Sequence, residues 1–200
     1  MPPDTPTVFA ATSLESRAVR RHAPAARIVE SGVGLTRMLD ATVDGVAISV
    51  GLAGGLRVDV PTGTLVIPSA VATDNGTAIA CDPRWTTRLR AAAAHLGFAF
   101  LDAALLTSET LVVGDARATW AARGFAAVDM ETARIPAHAI AAVRVVLDTP
   151  QRELSPDWLH PSRAMLRPRN WGQMLWLARE GPRCADLAAR VLAVALDEQR

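Results

Sequence analysis

The chain contains no lysine and no tyrosine, and all 21 of its basic residues are arginine. A lysine Schiff base and a lysine-type phosphate loop are therefore excluded. Excess charge is absent too: the net charge is +1, which leaves no electrostatic case for a nucleic-acid partner. Only two cysteines occur, Cys81 and Cys184. They stand far apart without CxxC or Cys/His spacing, so unpaired thiols in a reducing cytosol are expected in preference to a disulfide. The histidines, His22, His95, His138 and His160, show no ligand spacing, and neither a metal nor an organic cofactor is expected. No apolar run approaches the ~18–20 residues of a membrane span. The opening MPPDTPTVFAAT lacks the basic start and long apolar stretch of a signal peptide. The expected location is the cytoplasm.

What is present is an apolar chain of 200 residues, half of them hydrophobic, with ample length for a core. It reads as one domain over 1–200, with a motif-bearing core over 6–150 and a helical part over 151–200. Strands are expected over 7–11, 26–30, 45–50, 63–71, 77–80, 126–130 and 141–147, with an extended stretch over 98–107. Helices are expected over 13–21 with Ser13 as N-cap, over 35–41, over 83–96 stopped by Gly97 and over 115–123 stopped by Gly124. Three more are expected: 131–138 with a misfit at Pro136, 171–179 and 182–197. Residues 149–169 read as a proline-rich loop with short helical turns. This alternation indicates an α/β protein, a three-layer α/β/α domain with a central mixed, mostly parallel sheet covered on both faces.

Two of the expected strands deliver acids. One leads into Asp129-Met130-Glu131, and the other ends on Asp148. In an open α/β sheet, ligands bind at that edge. Gly51-Leu52-Ala53-Gly54-Gly55-Leu56 and Ser31-Gly32-Val33-Gly34 also follow strands. Each is either a plain tight turn or a floor whose backbone N–H groups approach an anion or a sugar. Neither is GxGxxG or a Walker loop, which disfavours a dinucleotide-binding protein. Glu15, one turn into the first helix, reads either as a solvated carboxylate or as a site residue. Asp148 reads equally as a cap, and Glu131 as a complement to a helix dipole. Arg144, inside an apolar strand, either snorkels at a sheet edge or is buried and needs a carboxylate partner. Acids around a Gly-rich floor suit cleavage of an N-glycosidic bond. One protonates the departing base, best from a buried position with a raised pKa; another accepts ribose hydroxyls; a third positions water.

In their order along residues 7–150, these motifs resemble the purine nucleoside phosphorylase/nucleosidase superfamily, including the methylthioadenosine/S-adenosylhomocysteine nucleosidases. VFAATSLE, residues 8–15, is similar to the first strand and following segment, whose glutamate serves the attacking water; the resemblance puts that role on Glu15. The Ser31–Gly34 turn is similar to the family's SGxG turn, which implies Ser31, Gly32 and Gly34 at the phosphate or water. GLAGGL is similar to GxAGGL, which implies Gly51, Ala53, Gly54 and Gly55 in the floor. LLTSETLV, residues 105–112, resembles the strand lining the base pocket, with Glu109 and Leu111 in that wall. Val128-Asp129-Met130-Glu131 resembles V-[ED]-M-E, whose Met packs on the ribose and whose last Glu binds the 2′- and 3′-hydroxyls, implying Met130 and Glu131. VRVVLD resembles V-R-x-I-S-D, whose Asp protonates the base, implying Asp148. The resemblance further implies a nucleoside phosphorylase-like fold, a small-molecule nucleoside substrate, a homo-oligomer such as a dimer, and no cofactor beyond inorganic phosphate as a co-substrate of phosphorolysis.

Three departures stand out. Leu147 occupies the place of the family's Ser before the acid. The hairpin after the first helix is cut to a few residues around 22–25, and the phosphorylases' arginine is not evident at 51–56. The short front and the Trp/Pro/Leu-rich tail are most similar to the hopanoid-associated phosphorylases, linked to removing adenine from adenosylhopane. Trp158, Trp171, Met174, Leu175 and Trp176 would then line an opening for a lipid side chain or touch a membrane surface peripherally; alternatively they are core or a dimer contact. The implied reaction is cleavage of a purine nucleoside by phosphorolysis or hydrolysis, Glu15 favouring water and the subgroup favouring phosphate. The rival reading is a non-catalytic nucleoside-binding protein.

Overall fold

The computed structural model describes residues 5–37, 43–159, 164 and 166–197. In chain order its strands are Thr7–Ala10 (β1), Arg27–Glu30 (β2), Val43–Gly55 (β3), Leu65–Val66 (β4), Ala70–Thr73 (β5), Ala78–Ala80 (β6), Phe100–Leu101 (β7), Leu105–Thr107 (β8), Ala127–Asp129 (β9) and Ala137–Asp148 (β10). Its α-helices are Ser13–His22 (α1), Pro83–His95 (α2), Asp115–Ala122 (α3) and Trp171–Asp197 (α4). The strands form one mixed sheet in the order β6-β5-β8-β9-β3-β10-β4-β7, with β1 on β3 and β2 on β1. Most pairings are parallel; β3–β9, β4–β10 and β5–β6 are antiparallel.

β3 and β10 form the spine, parallel from Val43 beside Ala137 to Gly54 beside Asp148. Val46, Ile48, Val50, Val143, Val145 and Val146 give this pair the β-branched content that suits a pleated, buried surface. Side chains alternate across the pleat. Val143, Val145 and Leu147 face a core built with α1, α2 and α4, through Val19, Leu89 and Leu192. Ala142 and Val146 face a second core with Val66 and Leu105, and Arg144 shares their side by parity. Both sheet faces are covered, unequally: three helices lie on one, and α3, through its own Trp120 and the following Phe125, caps the other.

The segment 51–56 is not a turn. β3 runs on through Gly55, because β10 pairs with it as far as Gly54 and β9 pairs with Gly54 and Gly55. On its other edge β3 changes partner: β1 accompanies it to Ser49, and β9 joins from the opposite direction at Gly54. Between them the strand edge forks open. β10 carries an irregularity between Val146 and Asp148, a bulge that re-aims the last side chain.

Other boundaries shift for local reasons. Thr12, not Ser13, caps α1. The helix expected over 131–138 is a single 3-10 turn, Thr132–Arg134, and Pro136 ends it before β10 begins. The strand expected over 63–71 breaks into β4 and β5 at Ile67–Ser69, around Pro68, which cannot donate to the ladder. The helix expected over 35–41 falls largely on residues outside those described; Val33–Leu35 form a 3-10 turn. The two expected C-terminal helices are one, with Pro182 inside it. A proline there costs about 3 kcal/mol, offset by the buried stripe Cys184, Ala185, Ala188, Ala189, Leu192 and Ala195. Cys81 and Cys184 are buried and unpaired. Among the described residues no helix is long and apolar enough to cross a membrane.

Leu192 is fully buried beneath the sheet. Leu192→Ala is expected to cost about 2–5 kcal/mol of stability, read as a lower urea midpoint at unchanged slope; a cost near zero would detach α4 from the core.

Candidate active site

The fork in β3 is filled by side chains. Thr12 and Glu15 form a capping box at the start of α1: Glu15 N–H donates to Thr12 Oγ1 over 3.4 Å, and Thr12 N–H donates to Glu15 Oε2 over 2.7 Å. The capping arrangement satisfies helix-end donors and leaves Glu15 Oε1 free to accept from Leu52 N–H, 2.8 Å away on the open edge of β3. Glu15 is 3% exposed, so it is no solvated helix-surface carboxylate. Gly51 makes this possible. Its φ is +151°, and a Cβ there would stand 2.1 Å from Glu15 Oε1 and 3.1 Å from the Arg144 guanidinium.

Arg144 occupies the centre. Its guanidinium is buried and pairs with Asp129 at 2.7 Å and, more loosely, with Glu131 at 3.5 Å. It also donates to Thr132 Oγ1 at 2.9 Å and to the Leu52 carbonyl, the other open group of the fork, at 3.2 Å. The alternatives left by the sequence thus resolve to a buried, paired arginine. Asp129 is held further by Thr107 Oγ1 at 2.7 Å and by the Thr132 hydroxyl. With all these donors on it, Asp129 is a fixed counter-ion. Glu131 is less well served: one oxygen accepts from Gly34 N–H at 2.9 Å. Burial pushes its carboxyl up, Arg144 pulls it back, and neighbouring Asp129 and Glu15 push it up again, to about 7.

Asp148 lies across the cavity. Its Oδ2 accepts from Arg117 of α3 and from Leu154 N–H at 3.5 Å. Burial raises its carboxyl above the ordinary range, against the opposing pull of Arg117. Arg117 is 1% exposed and its Nε stands 3.1 Å from Glu153. Nothing in the polar helix sequence DARATWAA marked it; an arginine there reads as surface.

One cavity brings together Glu15, Met130, Glu131, Asp148, Ala53 and Gly54. Thr110, Leu111 and Val112 form the wall expected from the 105–112 motif; Glu109 is exposed outside that lining. Gly51 and Gly55 stand behind the lining, the first backing Glu15 and the second accepting from Arg117 through its carbonyl. Of the turn at 31–34, Val33 reaches the cavity, Gly34 serves Glu131, and Gly32 adopts φ +74°. The Ser31 hydroxyl is turned onto the carbonyls of Ala10 and Gly32, each at 3.4 Å. Leu154, Ser155 and Trp158 close the rim.

The raised carboxyl of Glu131 has a thermodynamic sign. Folding takes up a proton between its ordinary value, 4.5, and about 7, so the cost of burying this charge is absent at low pH and fully developed above the upper value. The unfolding-temperature difference between Glu131→Gln and the unaltered protein is expected to move in favour of the variant as pH rises from 5 to 8. A difference independent of pH would mean that Glu131 titrates normally.

No family model and no curated protein matches the sequence. Solved structures do match the fold. A futalosine hydrolase mutant of Helicobacter pylori superposes with a TM-score of 0.74 at 12% identity, over 98% of this chain and 99% of that one. The 5′-methylthioadenosine/S-adenosylhomocysteine nucleosidase of Neisseria meningitidis, in complex with methylthio-immucillin-A, gives 0.71 at 17% identity over 98% and 99%. The S-adenosylhomocysteine nucleosidase of Streptococcus pyogenes, in complex with 5-methylthiotubericidin, gives 0.72 at 15% identity over 100% and 99%. At such identities the likeness is one of architecture: the chain has the α/β fold of these nucleosidases and of futalosine hydrolase.

Proposed function

We propose that the chain is an enzyme that hydrolyses the N-glycosidic bond of a purine nucleoside, most readily an adenine nucleoside with an apolar 5′-substituent. The observation that carries this reading is the convergence of Glu15, Glu131 and Asp148 on one cavity. Asp148 protonates the departing base, its burial keeping a proton available. Glu131 accepts hydrogen bonds from the ribose hydroxyls, and Met130 packs on the sugar. Glu15 orients the water that attacks C1′ and takes up its proton. The carbon–nitrogen bond breaks with its electron pair passing to the protonated base. General acid catalysis of this kind supplies roughly 10²–10⁴-fold in rate.

Water is favoured over phosphate by charge. Thr12 N–H and Leu52 N–H, donors that an anion would need, already serve Glu15. Arg144 is already matched by Asp129 and Glu131, so a further anion there meets carboxylates. The apolar rim of Val33, Leu154 and Trp158 supports an apolar 5′-group. The solved neighbours held with methylthio-nucleoside analogues support the same substrate class, and adenosylhopane belongs on the list to be assayed.

Purified protein offered methylthioadenosine, adenosine and adenosylhopane is expected to release free adenine, with free pentose rather than pentose 1-phosphate as co-product whether or not phosphate is added. Asp148→Asn, Glu131→Gln and Glu15→Gln should each lose roughly 10²-fold or more; wild-type rates in all three would overturn the assignment. Gly51→Ala should lose stability and approach the Glu15→Gln rate, because its methyl, at a φ that side chains rarely adopt, displaces the Glu15 carboxylate.

A further inference from the structure

Among the described residues, the contacts from other residues to the Asp148 carboxyl converge on one oxygen. Arg117 and Leu154 N–H both serve Oδ2, while Oδ1 lies against Gly54, where a Cβ would come within 3.1 Å of it. The side chain of the preceding residue, Leu147, packs into the helix-side core and has no polar atom to offer Asp148, while its carbonyl accepts from Thr62 Oγ1 at 2.7 Å. Arg117 donates hydrogen bonds to Asp148 and to the Gly55 carbonyl, and its Nε stands in an ion pair with Glu153 without an aligned hydrogen bond. Arg117 and Asp148 both line the cavity.

We propose that Arg117 is the positioning residue for Asp148: it clamps one carboxyl oxygen so that the other presents its proton to the base, and Glu153 moderates the positive charge that it brings. The inference rests on the hydrolase reading above. In the step itself the Asp148 proton passes to the base as the C1′–N bond breaks. The carboxylate left behind is neutralised by Arg117, which keeps its own protons. The charged groups around Asp148 are Arg117 on α3 and Glu153 in the following loop. Glu15, Asp129 and Glu131, with Arg144 among them, stand on the far side of the cavity, and Asp115 shares an adjoining depression with Arg117.

The test is the pH profile of kcat/KM for wild type, Arg117→Gln, Arg117→Lys and Glu153→Gln, run beside the titration of the Asp148 carboxyl carbon by NMR in the same proteins. A general acid must be protonated, so its alkaline limb follows its proton affinity. Arg117→Gln removes a contacting opposite charge and is expected to move that limb upward by roughly 1–3 pH units, with kcat falling more than KM rises. Glu153→Gln keeps an acceptor for Gly114 N–H, which Glu153 now serves at 2.7 Å. It strengthens the hold of Arg117 on Asp148, so the limb moves downward. Arg117→Lys keeps the charge and stays nearer wild type.

Opposite shifts in the two neutralising variants support the proposal; limbs that stay put, or that move together, overturn it. If Arg117→Gln fails to fold, the sign of the Glu153→Gln shift decides alone. A wild-type protein that releases no base from any purine nucleoside overturns the hydrolase reading instead, and the carbon titration then decides by itself whether Arg117 governs Asp148.

Discussion

The centre of the molecule depends on one buried guanidinium. Placing Arg144 away from water carries a desolvation cost of several kcal/mol that only close, well-aligned carboxylates offset. Asp129 supplies the close contact and Glu131 the looser one. Everything nearby is constrained in turn. The register that sets Arg144 beside Gly51 is the one in which its side chain reaches both acids. A slip of one residue would turn the guanidinium into the helix-packed core. Gly51 must lack a side chain, because Glu15 and Arg144 share the space above it.

Two arginine–carboxylate groups thus stand at opposite ends of one cavity and do different things. At Arg144 one cation faces several acids, and the acid with the weaker contact, Glu131, is left with a carboxyl near neutrality. At Arg117 the cation is divided between Asp148 and Glu153. Burial still prevails at Asp148, though the arginine works against it. The same three ingredients, desolvation, opposite charge and like charge, thus raise the carboxyl at each end, with like charge adding to the effect only at Glu131.

How much of this was legible depended on how local the cause was. β1, α2, α3 and the buried run of β10 lie where apolar periodicity, a proline in a first helical turn and flanking glycines put them, because those signals act over a few residues. For Arg144 the sequence posed the alternatives, a snorkelling edge arginine or a buried one needing a carboxylate, and only the pairing with Asp129 decides between them. The continuation of β3 through Gly51 and Gly54 was not. Those glycines answer to Glu15 and Asp148, which are distant in sequence, and a glycine in a strand looks like a glycine in a turn. Arg117 was invisible because its burial comes from the bulge before Asp148 and from Glu153, neither of which its own helix announces. At Glu109 the motif located the wall correctly, while the exposed carboxylate itself lies outside it.

The forked strand also bears on how the chain comes together. Glu15 precedes β3, Asp129 ends β9, Glu131 follows it, and the cation that faces all three arrives only with β10. Until that last long strand is in the sheet, the three acids have no buried counter-ion and are better off in water. The pairing of β3 with β10 joins segments far apart in the chain, and contacts so distant close slowly. Without β10, one edge of β3 would be left unpaired, the kind of open apolar edge that pairs with other chains. Speed of folding and resistance to aggregation are therefore set at the same place as the chemistry.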